Sequence, residues 1–250
     1  YAPPITMVEP EVDALLDGLA LADLRSILRA ARLSLFVGSG AIEELRAHLR
    51  GRLGCEIRGE AMALPRAQAS AWRDAVRATV DEACDAQRSA LERARSVVEG
   101  RAASRGVSWW ASRWESAIGG SGEGLRVLIP SCRYSTYVRH ASEDIACAFE
   151  RAGCEVELLI EADDSSRLAS VAYAEACARV DPDLIVLINY PRASMGGAIP
   201  EGVPFVCWVQ DAMPQMFDRG AARSQGALDF LVGGLDPAYF RHVGHPRERS

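Results

Sequence analysis

Five short apolar runs decide how this chain folds: Arg126-Val-Leu-Ile-Pro130, Cys154-Glu-Val-Glu-Leu-Leu-Ile160, Asp183-Leu-Ile-Val-Leu-Ile-Asn189, Pro204-Phe-Val-Cys-Trp-Val-Gln210 and Leu228-Asp-Phe-Leu-Val-Gly233. Between them lie polar turns and amphipathic helical stretches. Near-continuous apolar strands that alternate with helices indicate a parallel sheet covered on both faces. The implied fold class is α/β, a Rossmann-like parallel sheet domain preceded by a mainly helical N-terminal region. In such sheets ligands bind at the carboxyl ends of the strands, which turns the fold into a short list of candidate site residues.

Outward from that array, Gly119-Gly-Ser-Gly-Glu-Gly124 reads as a linker, so the expected division is 1–122, mainly helical, and 123–250, the sheet domain. Within the sheet domain the spacing predicts a helix from about Ser135 to Arg151 ending at Gly153, and another near Ser166 to Val180. Upstream, Val12 to Leu28 carries an apolar helix face, Leu33 to Val37 resembles a strand, and Ala41 to Arg52 a helix. A long helical stripe after Pro65 runs from Trp72 to Val98. Trp109, Trp110 and Trp114 come next, either as an aromatic platform or as packing against the sheet domain.

Composition narrows the function. The 250 residues are 49% hydrophobic and 25% charged, an ordinary globular balance with no run long enough to span a bilayer and no signal-peptide pattern. A net charge of −6 argues against a nucleic-acid binder. All 28 basic Lys/Arg residues are arginine, which excludes a Schiff-base or P-loop lysine. Seven cysteines without a CxxC pair read as reduced thiols of a cytoplasmic protein, with no metal site.

The turns supply the candidates. Ser131-Cys-Arg-Tyr-Ser-Thr136 lacks the glycines of a dinucleotide loop and offers hydroxyls at a helix N-terminus instead, with one of Ser135 and Thr136 as the cap. Gly38-Ser-Gly40 is a weaker anion-cradle signal. Arg139 and His140 open the helix after that loop, where a histidine is suited to general base work. Asn189-Tyr-Pro-Arg192 ends one strand with an amide, a phenol and a guanidinium. Gln210-Asp211 ends the next, and a carboxylate there is either a ligand contact or the cap of the segment beyond it.

Arg133-Tyr-Ser-Thr-Tyr137 with Ser142-Glu-Asp144, Ala148-Phe-Glu-Arg-Ala-Gly-Cys-Glu-Val156, Pro182-Asp-Leu-Ile-Val186 and Val203-Pro-Phe-Val-Cys-Trp-Val-Gln-Asp211 together resemble the N-terminal half of bacterial GT-B glycosyltransferases of the family 1-like kind, near the spore-maturation CgeB-like proteins. The resemblance covers about 110 residues. It implies an acceptor-side domain, no bound metal, no cofactor, and a nucleotide-sugar donor held by a second domain. Too few residues come after the fifth strand for that domain, so the expectation is a piece of a longer enzyme. Asp211 or His140 would then deprotonate or orient an acceptor hydroxyl. Arg133, Tyr134, Ser135, Thr136, Arg139, Asn189, Arg192 and Gln210 would bind substrate. The alternative is a non-catalytic binding or assembly module that self-associates through the helix near 66–100. A receiver-like domain is disfavoured because the third strand ends in Asn189 and lysine is absent.

Overall fold

The computed structural model describes residues 4–57, 71–120, 122–234 and 236–246. It divides into two compact units: 1–89 with 162–169, and 90–161 with 170–250.

The first unit pairs β1 (Ile5–Glu9) parallel to β2 (Leu33–Val37). Helices α1 (Val12–Leu21) and α2 (Arg25–Leu28) connect them, and α3 (Ala41–Arg50) comes after β2. The expected helix face from Val12 to Leu28 is thus broken at Ala22, whose extended backbone ends α1. Strand β1 escaped the sequence reading because its pairing with β2 lies across an intervening helix pair. Residues 162–169 join this unit through Asp163. Its carboxylate accepts the N–H groups of Ser165 and Ser166 (2.9 and 2.7 Å) and pairs with Arg52 at 3.0 Å. That local turn takes up backbone donors a helix would need. The helix expected from Ser166 therefore starts only at Ser170. Helix α4 (Ala71–Ala102) has its first part in this unit and its last part in the second. The expected start near Pro65 lies outside the described residues.

The second unit holds α5 (Val107–Ile118) and five parallel strands: β3 (Arg126–Pro130), β4 (Glu155–Leu159), β5 (Leu184–Ile188), β6 (Phe205–Val209) and β7 (Asp229–Gly233). Helices α6 (Thr136–Arg151) and α7 (Ser170–Val180) connect the first three strands, while a 3₁₀ turn (Arg192–Met195) joins β5 to β6. A second 3₁₀ turn (Pro214–Phe217) and α8 (Arg219–Arg223) lead to β7, and α9 (Pro237–Val243) comes after it. The spatial order is β4-β3-β5-β6-β7. This is a doubly wound arrangement, whose order reverses between β3 and β5. No helix among the described residues is long and apolar enough to cross a membrane.

Strand alternation explains why the runs are apolar throughout. Leu184 and Val186 point into one core with Val127, Ile129 and Ala146, against which Trp114, Ile145 and Phe149 pack. Ile185 and Leu187 point into the other with Leu128, Phe205, Cys207, Leu231 and Phe240. Each fully buried large aliphatic side chain contributes about 1.5–3 kcal/mol. Trp110 is buried, and Trp114 donates its indole N–H to the Asp183 carbonyl at 3.3 Å, so these two tryptophans of α5 serve packing. Helix α6 starts with the Ser135 hydroxyl accepting the Val138 N–H, and it ends in a Schellman motif. There the Cys154 N–H reaches the Phe149 carbonyl and the Gly153 N–H the Glu150 carbonyl, with Gly153 at φ +84°. Gly153 is thus the left-handed residue just past the cap, Ala152.

Candidate functional site

The carboxyl end of β5 turns on Asn189, 4% exposed and left-handed at φ 60°. Asparagine tolerates that conformation better than most side chains. Its Oδ1 accepts the backbone N–H groups of both Gln210 (2.8 Å) and Asp211 (3.0 Å). Its Nδ2 donates to the Asp211 carboxylate at 3.3 Å, and its carbonyl accepts from Gln215 Nε2 at 2.9 Å. One amide therefore fixes the end of β6 with an acceptor and a donor used together. An aspartate here would keep only acceptors and would repel the Asp211 carboxylate.

The carboxylate of Asp211 lies at the surface and does not cap the next segment. The 3₁₀ turn beyond it begins at Pro214, after Met213, with no side-chain cap. Gln210 points its Oε1 into a buried position without a hydrogen-bond partner among the described residues. Buried polar atoms are usually paired; among the described residues Gln210 Oε1 shares its unpaired state with Asp183 Oδ1 and Ser142 Oγ, and differs from them in that its residue lines a cleft.

That residue lines a cleft of about 410 Å³ with Tyr137, His140, Asp144, Trp208 and Gly234. Tyr137, His140 and Asp144 recur at three- and four-residue steps, which sets them on one face of α6. The His140 ring engages Glu143 Oε2 through Nδ1 at 3.0 Å, leaving Nε2 as the nitrogen available to a ligand. Glu143 also sits 3.6 Å from Arg139, so Arg139 is held along the helix.

The loop after β3 is tied down differently. The Arg133 N–H donates to the buried Glu161 carboxylate and its Nε to the Glu161 carbonyl, both at 2.8 Å. Arg133 thereby anchors the end of β4 to this loop. Ser135 is the helix cap, Thr136 is the first helical residue, and Tyr134 is half-buried beside them in the chain.

Arg192 meets a geometry other than the expected one. Although three residues from Asn189, it is 8% exposed and pairs with Asp229 at 2.7 Å. Its two terminal nitrogens donate to the Pro200 and Val203 carbonyls, and its guanidinium lies 4.8 Å over the Phe205 ring. Burial pulls its pKa below the ordinary value, and Asp229 opposes that shift. The guanidinium is committed to holding the β5–β6 connection against the start of β7. It does not join Gln210 and His140 in the cleft.

The structure thus brings His140 and Gln210 to one cleft, with Asn189 and Asp211 bonded to its rim. Arg133, Ser135, Arg139 and Arg192 serve internal contacts. Tyr137, Asp144 and Trp208 were not singled out from sequence as site residues. The helical spacing of the first two with His140 was the signal available. Burial pushes the Cys177 and Cys207 thiols up to about 12, which removes them as nucleophiles. Among the described residues no group of three or more His, Cys, Asp or Glu is placed to hold a metal ion.

In comparison with known proteins, the chain matches no family model, no curated protein and no solved structure.

Proposed function

We propose that this chain carries the acceptor-side domain of a GT-B-like glycosyltransferase, and that the cleft between α6 and β6 takes a sugar or similar polyhydroxylated acceptor. The observation that carries this reading is that Gln210, whose buried Oε1 has no hydrogen-bond partner among the described residues, lines the same cleft as His140 and Asp144. A ligand hydroxyl is the donor that such an acceptor calls for. Tyr137 and Trp208 add flat apolar faces of the kind that cover the C–H side of a sugar ring.

In this reading Asp211 takes the proton of the acceptor hydroxyl as its oxygen bonds to the sugar carbon. The bond from that carbon to the departing nucleotide breaks, and its electron pair leaves with the nucleotide. His140 Nε2 orients the hydroxyl, while Asn189 holds Asp211 in register through two hydrogen bonds and Gln210 through a third. The nucleotide-sugar is a substrate held outside this chain, and no cofactor enters. Seven free thiols support a reducing compartment, the cytoplasm. The reading of a docking module with the long helix as its surface has less support, because the stripe Ala83, Ala90, Ala94 and Val98 is already buried.

The test is Asp211→Ala in the full-length protein. General base catalysis contributes roughly 10²–10⁴-fold, so transfer should fall by at least the lower figure with the circular dichroism spectrum unchanged. Unchanged turnover would contradict the role of Asp211.

A further inference from the structure

A larger cleft, about 620 Å³, lies in the second unit apart from the Gln210 site. Its volume is within the range of small-molecule pockets. At its base Arg192 and Asp229 neutralise each other, and their polar atoms are taken up by neighbouring backbone. The remaining charges belong to Arg95, Glu99 and Glu201.

Arg95 is half-buried, yet it has no hydrogen-bond or ion-pair partner among the described residues. The guanidinium lies over Gly197, where a Cβ would stand 3.1 Å from Nη2, and Gly197 adopts φ +76°. A side chain at 197 would crowd the guanidinium. Glu99 and Glu201 line the same cleft without pairing with it. Apolar wall is supplied by Ile199 and the partly exposed Phe230.

One cation and two carboxylates, mutually unpaired around an apolar wall, discriminate between ligand classes. A simple anion would satisfy Arg95 but would be repelled by both carboxylates. A simple cation would leave the half-buried guanidinium unmet. We infer that this cleft binds a zwitterionic small molecule with an apolar body: its carboxylate on Arg95, its ammonium on Glu99 and Glu201, its apolar part against Ile199 and Phe230. An apolar α-amino acid is the simplest such molecule.

The experiment is an NMR titration of the chain with L-phenylalanine, with phenethylamine, which lacks the carboxylate, and with 3-phenylpropanoate, which lacks the ammonium. Saturable shifts at Gly197 and Phe230 are expected for phenylalanine. Each truncated probe should bind roughly tenfold more weakly or worse, the loss of one charge-assisted hydrogen bond. Arg95→Gln should reproduce the first loss, and the exposed double variant Glu99→Gln/Glu201→Gln the second. Should Arg95→Gln fail to fold, the double variant decides alone. The inference is overturned if phenylalanine does not saturate, if 3-phenylpropanoate binds as tightly as phenylalanine, or if the double variant binds phenylalanine as the parent does.

Discussion

The two ends of β5 use similar residues to opposite purpose. Each end carries a left-handed residue other than glycine, Asp181 before the strand and Asn189 after it. At the amino end, Asp181 is held by Arg105 at 2.7 Å and Arg126 at 3.1 Å. Two residues on, the fully buried Asp183 accepts from Arg113 at 2.8 Å and from the Arg126 N–H at 2.9 Å. Every guanidinium there is spent on the chain itself. At the carboxyl end a neutral amide does the fixing, and it leaves the Asp211 carboxylate in water and the Gln210 carbonyl unmatched. The amino end is tied together by its own charges, with Asp183 Oδ1 buried and unmatched inside the chain; the carboxyl end differs in that its unmatched acceptor belongs to a residue lining a cleft.

Substitutions at each end sharpen this contrast. Asp183→Ala should have the largest effect on stability. It leaves the Arg113 guanidinium without its carboxylate, and breaking a buried pair in this way costs about 3–5 kcal/mol. Urea unfolding checks this, and a loss under about 1 kcal/mol would show that Asp183 is not the anchor of β5. Asn189→Ala removes three hydrogen bonds while keeping the strand, for about 2 kcal/mol. The amides of Gln210 and Asp211 should then exchange with solvent faster, as hydrogen–deuterium exchange would report. Unaltered exchange there would break the link between β5 and the site.

The smallest effect is a pH dependence. The Arg105 hydrogen bonds hold the Asp181 carboxyl below its ordinary value, against the opposing pull of burial, and Arg126 adds to the lowering. A carboxyl whose folded pKa is depressed gives its full stabilisation above the unfolded value, about 3.9, and loses it as pH falls below that. Asp181→Asn should therefore flatten part of the acid limb of a stability–pH curve and leave its slope near neutral pH unchanged. An acid limb with the parent's slope would exclude Asp181 from the ion network's contribution.

The parallel sheet was legible because strands buried on both faces cannot hide their apolar runs, and each of the five was located to within a residue or two. The polar ends of β5 and β6 were legible for a related reason: Asn189, Gln210 and Asp211 stand where apolar sequence stops. Arg192 was not, since its partner Asp229 is distant in sequence and nothing local reveals that the guanidinium turns inward. Strand β1 pairs across two helices, and its half-exposed residues carry no continuous apolar run. The α6 face with Tyr137, His140 and Asp144 is visible as a periodicity. Only the structure, which packs α6 on β4 and β3, says which of its faces looks into the cleft.

The central claim is that the carboxyl end of β6 and the facing turn of α6 form a site for a hydroxyl-rich ligand. An NMR titration of the chain with a panel of methyl glycosides tests it most directly. Saturable shifts confined to His140, Asp144, Trp208 and Gln210, and weakened roughly tenfold in Gln210→Ala, are the predicted result. No saturable shift from any member of the panel, or shifts that survive Gln210→Ala undiminished, would contradict it.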